Sequence, residues 1–355
     1  MQHINELQNY LSKFLFWNKA RIACLAQILQ ALFCVKTVNL MQISSAFQSD
    51  ANTDSSYRRI RRFFAHFTFD ISSIVGFVLH CLPIEQRFLL AIDRTNWKIG
   101  KQHINILMLS LYFKGVGIPL VWIICNKGGN SSLEKRCEIM KRVLQKIGHR
   151  RIQALLADRE FIGGCWFRFL ISRKIPFLIR VKKCAKASGI SWGEIVPLEK
   201  LIGHKNVKNH PVVLWGHYLY VSITTRKNSN DPLIVVSNEA FDDPIKLYRK
   251  RWSIETLFGC LKTRGFRLKD TSMVNPERLE KLIFILTIAL CWSIKTGEAL
   301  EKTKPTRVKK HGRKEKSLFR RGFDLIRRAI FSIRRKTDQI LRIIRFLEGI
   351  SYEVC

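Results

Sequence analysis

The chain has 355 residues, 47% of them hydrophobic, which excludes a disordered protein and allows one large domain or two to three ordinary ones. Its 62 Lys and Arg outnumber its 27 Asp and Glu, and the formal net charge of +35 favours a nucleic acid or an anionic membrane as partner over a merely solvated basic surface. The ten cysteines include no C-x-x-C pair, so we expect no zinc knuckle and interpret the thiols as small buried hydrophobes in a reducing compartment.

Residues 1–80 are predicted to form a helical DNA-binding region. No basic stretch followed by a long apolar run opens the chain, so a secretion signal is not expected. Further along, Ile60, Phe63, Phe64 and Phe67 recur at helical spacing and form an apolar stripe. Such a helix either binds DNA or simply turns a basic face to solvent, and the pattern leaves both open. The DNA-binding interpretation assigns phosphate contacts to four surrounding arginines: Arg58, Arg59, Arg61 and Arg62.

Residues 81–300 show the alternation of a mixed α/β sheet. Two of the predicted strands end at a carboxylate, Phe88–Ile92 at Asp93 and Ile152–Ala157 at Asp158. Ligands of such sheets collect where buried strands end. The other predicted elements are a strand hairpin (Ile104–Phe113 and Ile118–Cys125), a helix from Ser132 to Gly148, a helix over 163–173 and a strand Pro176–Val181.

A β-rich insertion is predicted over residues 182–240, with short strands at Val212–Trp215, Tyr218–Thr224 and Leu233–Val236. A single helix is predicted next, over 244–264. At 100° per residue, its polar stripe about 60° wide carries Tyr248, Arg251, Glu255 and Lys262, beside an apolar stripe of Ile254, Leu257, Phe258 and Leu261. Alone, Arg251 and Glu255 would be an ordinary surface pair at i,i+4.

The last third is predicted to contain a buried helix over 276–298 and a basic helical region over 301–355. The apolar run Leu282–Ile294 is shorter than a bilayer is thick, which favours a core helix over a membrane span. We therefore expect a nucleic acid, and no membrane, as the partner. The basic C-terminal region either binds DNA non-specifically or, through Leu325–Ile330 and Ile340–Leu347, contacts a second copy.

Three motifs in order resemble one family of proteins. Tyr248, Arg251, Glu255 and Lys262 match the Y-x2-R-x3-E-x6-K signature of bacterial insertion-sequence transposases of family four, which use DDE chemistry. Asp93-Arg94-Thr95-Asn96-Trp97 resembles the family's D-x-T-x-W, and Asp158-Arg159-Glu160-Phe161 resembles its D-R-x-F. The resemblance covers about residues 85–265. It implies an RNase H-like mixed sheet with a β-rich insertion, flanked by helical N- and C-terminal regions.

The resemblance also implies a site and its cofactor. Asp93, Asp158 and Glu255 would be the catalytic residues and would hold two Mg²⁺ ions, with Mn²⁺ as a substitute, since hard cations prefer carboxylate oxygens. Phosphates would be bound by Arg251 and Lys262. We expect Tyr248 to bond a phosphate and Arg159 to bind a phosphate or orient Asp158. Thr95 and Trp97 would shape the site, with Thr95 also contacting DNA, and Glu160 would face away from the metals.

The expected activity is cut-and-paste DNA transposition: metal-dependent cleavage at transposon ends, then strand transfer of the 3′-OH into target DNA. Transposon-end and target DNA would be the partners, with a homodimer assembled on DNA in the bacterial cytoplasm. The alternatives are a catalytically inactive repressor derived from a transposase and a nuclease of the same fold without strand transfer. A hairpin step, with Trp192 or Trp215 stacking on a flipped base, stays open against ordinary burial of these side chains.

Overall fold

The computed structural model describes residues 2–331 except 50, 83, 85, 86, 126–128, 191–193, 203–205, 226–230, 311 and 313, together with 344 and 345. The chain divides into two compact units. The sheet unit comprises residues 84–96 and 105–257, and the helical unit comprises residues 1–83, 97–104 and 258–355. This division differs from the three consecutive regions that the sequence predicts, because residues 258–300 are grouped with the N-terminal helices.

One mixed sheet of ten strands dominates the sheet unit, in the order β3-β2-β1-β4-β5-β10-β9-β8-β6-β7. Its first half consists of β1 (Phe88–Ile99), β2 (Gln102–Phe113), β3 (Val116–Cys125), β4 (Ile152–Ala157) and β5 (Phe177–Val181). β4 is parallel to both β1 and β5, whereas β2 and β3 form an antiparallel hairpin. The order 3-2-1-4-5 with these directions confirms the expected RNase H-like mixed sheet.

Two helices cross between the parallel strands, as the sequence predicts. α6 (Leu133–Ile147) begins at Ser132, whose side chain accepts a hydrogen bond from the Lys135 backbone N–H, and ends at Gly148 with a φ of 73°. α7 (Gly164–Ser172) leads from β4 to β5. Because each crossover helix runs back across the sheet, the carboxyl ends of β4 and β5 lie at one edge.

The first strand is longer than predicted. Its pairing with β4 reaches Ile92 and Ala157, but β1 itself runs on to Ile99 and turns into β2. Asp93 therefore lies inside a strand, at the point where the parallel partner stops, rather than at the strand's end. The cause is visible in the sequence, since Thr95 and Trp97 continue the inward-facing alternation after Asp93.

The predicted β-rich insertion is continuous with the central sheet. β10 (Leu233–Ser237) pairs antiparallel with β5 on one side and with β9 (His217–Thr224) on the other. β8 (Val207–Leu214) pairs with β9 through the turn at Trp215 and Gly216, both at positive φ. β6 (Lys186–Ser188) and β7 (Val196–Pro197) form the far edge, and the short α8 (Leu198–Ile202) follows.

The helix predicted over 244–264 is three pieces. α9 (Pro244–Arg249) ends before Arg251, α10 (Trp252–Gly259) begins immediately after it, and Cys260–Arg264 forms a turn of π-helix. The prediction of one continuous polar stripe is therefore wrong, because 100° per residue does not carry through a break and a wider turn. The apolar stripe of the segment is confirmed, since Ile254, Leu257, Phe258 and Leu261 are buried.

The described part of the helical unit contains seven α-helices around an aromatic core. They are α1 (Gln2–Ser12), α2 (Lys19–Val35), α3 (Leu40–Ser45), α4 (Thr53–His66), α5 (Ile71–Cys81), α11 (Pro276–Thr303) and α12 (Leu318–Phe331). Phe33 of α2 packs against Trp292 and Phe323 at ring distances of 5.2 and 5.1 Å. Gly297 and Gly322 let α11 and α12 touch backbone to backbone, because a Cβ at either position would collide with a carbonyl of the other helix.

α11 extends at both ends beyond the apolar run Leu282–Ile294 that the sequence analysis identified. Its 28 residues are long and apolar enough to cross a membrane by length and composition. The shortness of the run Leu282–Ile294 is therefore the wrong reason to exclude a membrane span. Its most apolar window is 83% buried inside the protein, as in a core helix. α12 also differs from its predicted role, because Ile326, Ala329 and Ile330 are buried and are not free to contact a second copy. Apart from residues 344 and 345, the segment Ile340–Leu347 lies outside the described residues.

Candidate active site

Two carboxylates lie side by side on neighbouring strands of the sheet unit. The register pairs Ile92 with Ala157, which places Asp93 next to Asp158 one residue further on. In each, Oδ1 accepts a hydrogen bond from the backbone N–H of the following arginine, at 2.7 Å for Asp93 and 2.8 Å for Asp158. These bonds fix the rotamer of both side chains and direct them to the same edge of the sheet.

The third carboxylate comes to the same place from helix α10. Nη1 of Arg251 lies 3.0 Å from Oδ2 of Asp93 and 3.6 Å from Oε1 of Glu255. One guanidinium nitrogen thus reaches both carboxylates, whose oxygens are separated by no more than the sum of these distances. Arg251 and Asp93 are largely buried, whereas Glu255 is 40% exposed and can still be approached from solvent. The structure therefore brings Asp93, Asp158 and Glu255 to one edge of the sheet.

The pKa of Asp93 is influenced by both of the other acids. Burial raises the pKa of Asp93 from 3.8 to about 7, against the lowering effect of Arg251 and the Arg94 N–H. The charges of Glu255 and Asp158 raise this pKa further. A carboxylate in such surroundings binds a cation strongly, because a positive charge relieves both desolvation and repulsion.

The three carboxylates are suitable ligands for a divalent metal, but in this conformation they do not surround a common ion position. Carboxylate oxygens are the ligands that Mg²⁺ prefers, and Arg251 shows that Asp93 and Glu255 attract a cation. Within the described residues, no three His, Cys, Asp or Glu side chains are close enough together to hold one ion. Metal binding at Asp93 and Glu255 therefore requires Arg251 to move away from them.

A second ion pair connects the residues that follow the two aspartates. Nε of Arg94 donates to Oε1 of Glu160 at 2.5 Å, and the same oxygen accepts from the backbone N–H and the hydroxyl of Ser131, both at 3.0 Å. Arg136 donates to the Ser131 hydroxyl at 2.9 Å. Glu160 thus ties β1 to the segment before α6 through one carboxylate oxygen.

Two predicted DNA-contacting side chains of this unit are buried. Tyr248 is 5% exposed, and burial raises the pKa of its phenol to about 12, although the charge of Arg251 opposes this. Its predicted hydrogen bond to a phosphate is not available in this conformation. Thr95 is 6% exposed, so it supports the packing beneath Asp93 rather than contacting a phosphate directly.

Other predicted DNA-binding residues belong to the helical unit. The Lys262 ammonium lies 5.4 Å from the centre of the Trp97 ring, which joins the D-x-T-x-W and signature-helix motifs by a cation–π contact. On α4, Arg58, Arg61 and Arg62 are exposed, whereas Arg59 is half-buried beside Cys24. The apolar stripe of this helix is confirmed, because Ile60, Phe63 and Phe64 are buried.

The structure also shows side chains that the sequence analysis did not select. Trp252 is 66% exposed and lies one turn before Glu255 on α10, where the i,i+3 spacing could have revealed it. Arg180 on β5 is a second one, and its neighbours are described below. Trp215 packs edge-on against Phe167 at 5.3 Å, which favours a structural role, and Trp192 lies outside the described residues.

Comparisons with known proteins identify a family for most of the sheet unit. The sequence model of the family described as "Transposase DDE domain" matches residues 87–292, which include all three acids. No curated protein is significantly similar to the chain. Among solved structures, the fold is similar to that of piggyBac transposase in a cryo-EM structure of its synaptic complex with hairpin DNA, at 13% identity and a TM-score of 0.47, covering 100% of this chain and 83% of that one.

Proposed function

Because the chain belongs to the family of transposase DDE domains, we propose that it is a DNA transposase of insertion-sequence family four that cuts and joins DNA with divalent metal ions. The observation that carries this proposal is the convergence of Asp93, Asp158 and Glu255 from β1, β4 and α10 at one edge of the sheet. Three acids so far apart along the chain meet at this edge although their mutual repulsion is costly.

The three carboxylates would hold two Mg²⁺ ions, with Mn²⁺ as a substitute. Bound there, the ions would activate the attacking oxygen and stabilise the leaving oxygen of a phosphodiester. Asp93 would hold the ions together with Asp158 and Glu255, whose charges both act on it. Arg251, once released from Asp93 and Glu255, would be free to bind a phosphate beside the scissile bond.

The reaction proceeds in two steps whose bonds balance. In the first, a water oxygen bonds to phosphorus at the transposon end, and the bond from phosphorus to the 3′ oxygen breaks. The 3′ oxygen takes up one proton of the water and becomes a 3′-OH, while the water oxygen stays on the 5′-phosphate and the other proton passes to solvent. In the second, the freed 3′-OH bonds to a phosphorus of the target DNA and displaces a 3′ oxygen of the target, so the number of phosphodiester bonds is conserved.

The partners in this proposal are transposon-end DNA and target DNA. The two ends of one element must be cut in concert, which favours a homodimer that assembles on DNA in the bacterial cytoplasm. Because the apolar face of α12 is buried in its own unit, we do not assign the contact between copies to the apolar residues of Leu325–Ile330.

The test uses the DNA that flanks the open reading frame in its genome. A duplex carrying the inverted repeat should be cut with Mg²⁺ and not with EDTA. Asp93→Ala and Glu255→Ala should each abolish cutting, whereas Asp242→Ala, an exposed acid of the same unit, should leave it intact.

A precut end with a free 3′-OH should join to a target plasmid, and cutting without joining would instead identify a nuclease. Binding of the repeat without cutting would identify a repressor. Undiminished cutting by both catalytic variants would refute the site.

A further inference from the structure

A third charged residue continues the row formed by the two aspartates. The register pairs Ile92 with Ala157 and Ala157 with Ile179, so the next positions, Asp93, Asp158 and Arg180, are neighbours across β1, β4 and β5. Adjacent strands are separated by about 4.8 Å. Aligned residues of neighbouring strands direct their side chains to the same face of a sheet, so these three side chains lie on one side.

Arg180 shares a single acceptor atom with the arginine of the D-R-x-F motif. Nη2 of Arg180 lies 2.9 Å from Oδ2 of Asp231, and Nη2 of Arg159 lies 3.2 Å from the same oxygen. Two guanidinium groups converging on one anionic oxygen is the arrangement that also binds a phosphate. In addition, the buried Nε of Arg180 has no hydrogen-bond partner among the described residues, so the pair has a donor left to offer.

The acid between these arginines is easily displaced. Asp231 is 58% exposed, and Arg159 and Arg180 are 37% and 23% exposed. Water competes for ion pairs at such exposure, and they contribute little to folding. A DNA phosphate offers more acceptor oxygens than a carboxylate and releases counterions when it binds. A phosphate can therefore compete with Asp231 for the two guanidinium groups.

We propose that Arg159 and Arg180 form a binding site for a DNA backbone phosphate on the β5 side of the catalytic carboxylates, and that Asp231 occupies this site until DNA binds. Arg180 is thereby assigned as a DNA-binding residue, and Asp231 as an internal competitor of DNA. This inference rests on the proposed function, because it gives the DNA strand a path from Asp158 towards β10.

The experiment measures binding of the full chain to a short fluorescent DNA duplex of random sequence. Fluorescence anisotropy is recorded over a series of salt concentrations with Ca²⁺, a hard cation that carboxylates accept. Arg180→Gln should weaken binding about tenfold and reduce the slope of log K against log salt by about 1. Asp231→Asn should tighten binding about threefold, because it removes the competing charge.

Matched controls come from the same unit. Arg173→Gln removes an equal charge just before β5 begins, at the opposite edge of the sheet from Arg180, and Asp242→Asn removes an exposed acid. The inference would be overturned if Arg180→Gln bound DNA as tightly as Arg173→Gln. It would also be overturned if Asp231→Asn bound DNA no more tightly than Asp242→Asn. If Arg180→Gln fails to fold, Asp231→Asn still decides it. The proposed function fails separately, through absent Mg²⁺-dependent cutting by the unaltered protein.

Discussion

At the scale of single residues, the protonation of Asp93 links folding to metal binding. Its pKa of about 7, raised chiefly by burial, lies above the ordinary value of 3.8. Between these two pH values the folded protein keeps the proton that the unfolded chain loses. The contribution of this group to stability is therefore present at low pH and lost as pH rises through 7.

The prediction compares the unaltered protein with Asp93→Asn in metal-free buffer. The difference in melting temperature, unaltered minus variant, should fall as pH rises from about 4 to 7 and then level off. Above pH 7, Mg²⁺ should raise the melting temperature of the unaltered protein and not that of Asp93→Asn, because the metal takes the place of the proton. A difference that is flat with pH would show that Asp93 titrates normally.

At the scale of elements, the Glu160 network joins the strands that carry the catalytic pair. Glu160 follows β4, Arg94 lies in β1, and Ser131 immediately precedes the Ser132 that caps α6. Each of the two ion-paired residues is within two positions of a catalytic aspartate, so the pair fixes the distance between the two carboxylates. Supporting contacts of this kind typically affect metal affinity and activity by about 10- to 100-fold.

Charge reversal tests this connection. Arg94→Glu and Glu160→Arg should each reduce Mg²⁺-dependent cutting at least about tenfold, and the double variant should recover part of the loss. The half-exposed pair Glu138 and Arg142 on α6 is the control, since reversing either residue there should change cutting little. Equal effects at the two pairs would mean that the Glu160 network has no special role.

How far the sequence predicts the elements depends on whether local pattern or tertiary contact decides them. Alternation and capping residues were sufficient for β2, β3, α6 and α7, whose ends follow from Ser132, Gly148 and similar local signals. The extension of β1 to Ile99 was missed because Asp93 was interpreted as a terminator. The break at Arg251 is not predicted because no Gly or Pro marks it in the sequence.

The site was predictable to a similar degree. The choice of Asp93, Asp158 and Glu255 follows from the family resemblance of their motifs, and the structure brings the three residues together. The position of Arg180 depends on the register of β4 with β5, and that of Asp231 on the pairing of β10 with β5, neither of which a single sequence specifies. Burial of Tyr248 was also hidden, because the helical projection that placed it beside Glu255 assumed an unbroken helix.

At the scale of the whole molecule, a net charge of +35 favours non-specific DNA binding with a strong salt dependence. Charge alone does not show which surface meets DNA, because basic residues are spread over both units. Variants of the basic helix α4 can test whether it contacts DNA or only faces solvent. Its exposed Arg58, Arg61 and Arg62 serve as the test, and the half-buried Arg59 on the same helix serves as the control.

If α4 contacts DNA, replacing Arg58, Arg61 and Arg62 together by Gln should reduce the slope of log K against log salt by about 3, close to one per lost phosphate contact. Arg59→Gln should change the slope much less, because this side chain is turned towards Cys24. If α4 only faces solvent, the triple variant removes three of 62 basic residues and should alter the slope by no more than Arg59→Gln does. Binding of a random duplex over a salt series measures this directly, and a slope unchanged in the triple variant would move the DNA-binding surface away from the N-terminal helices.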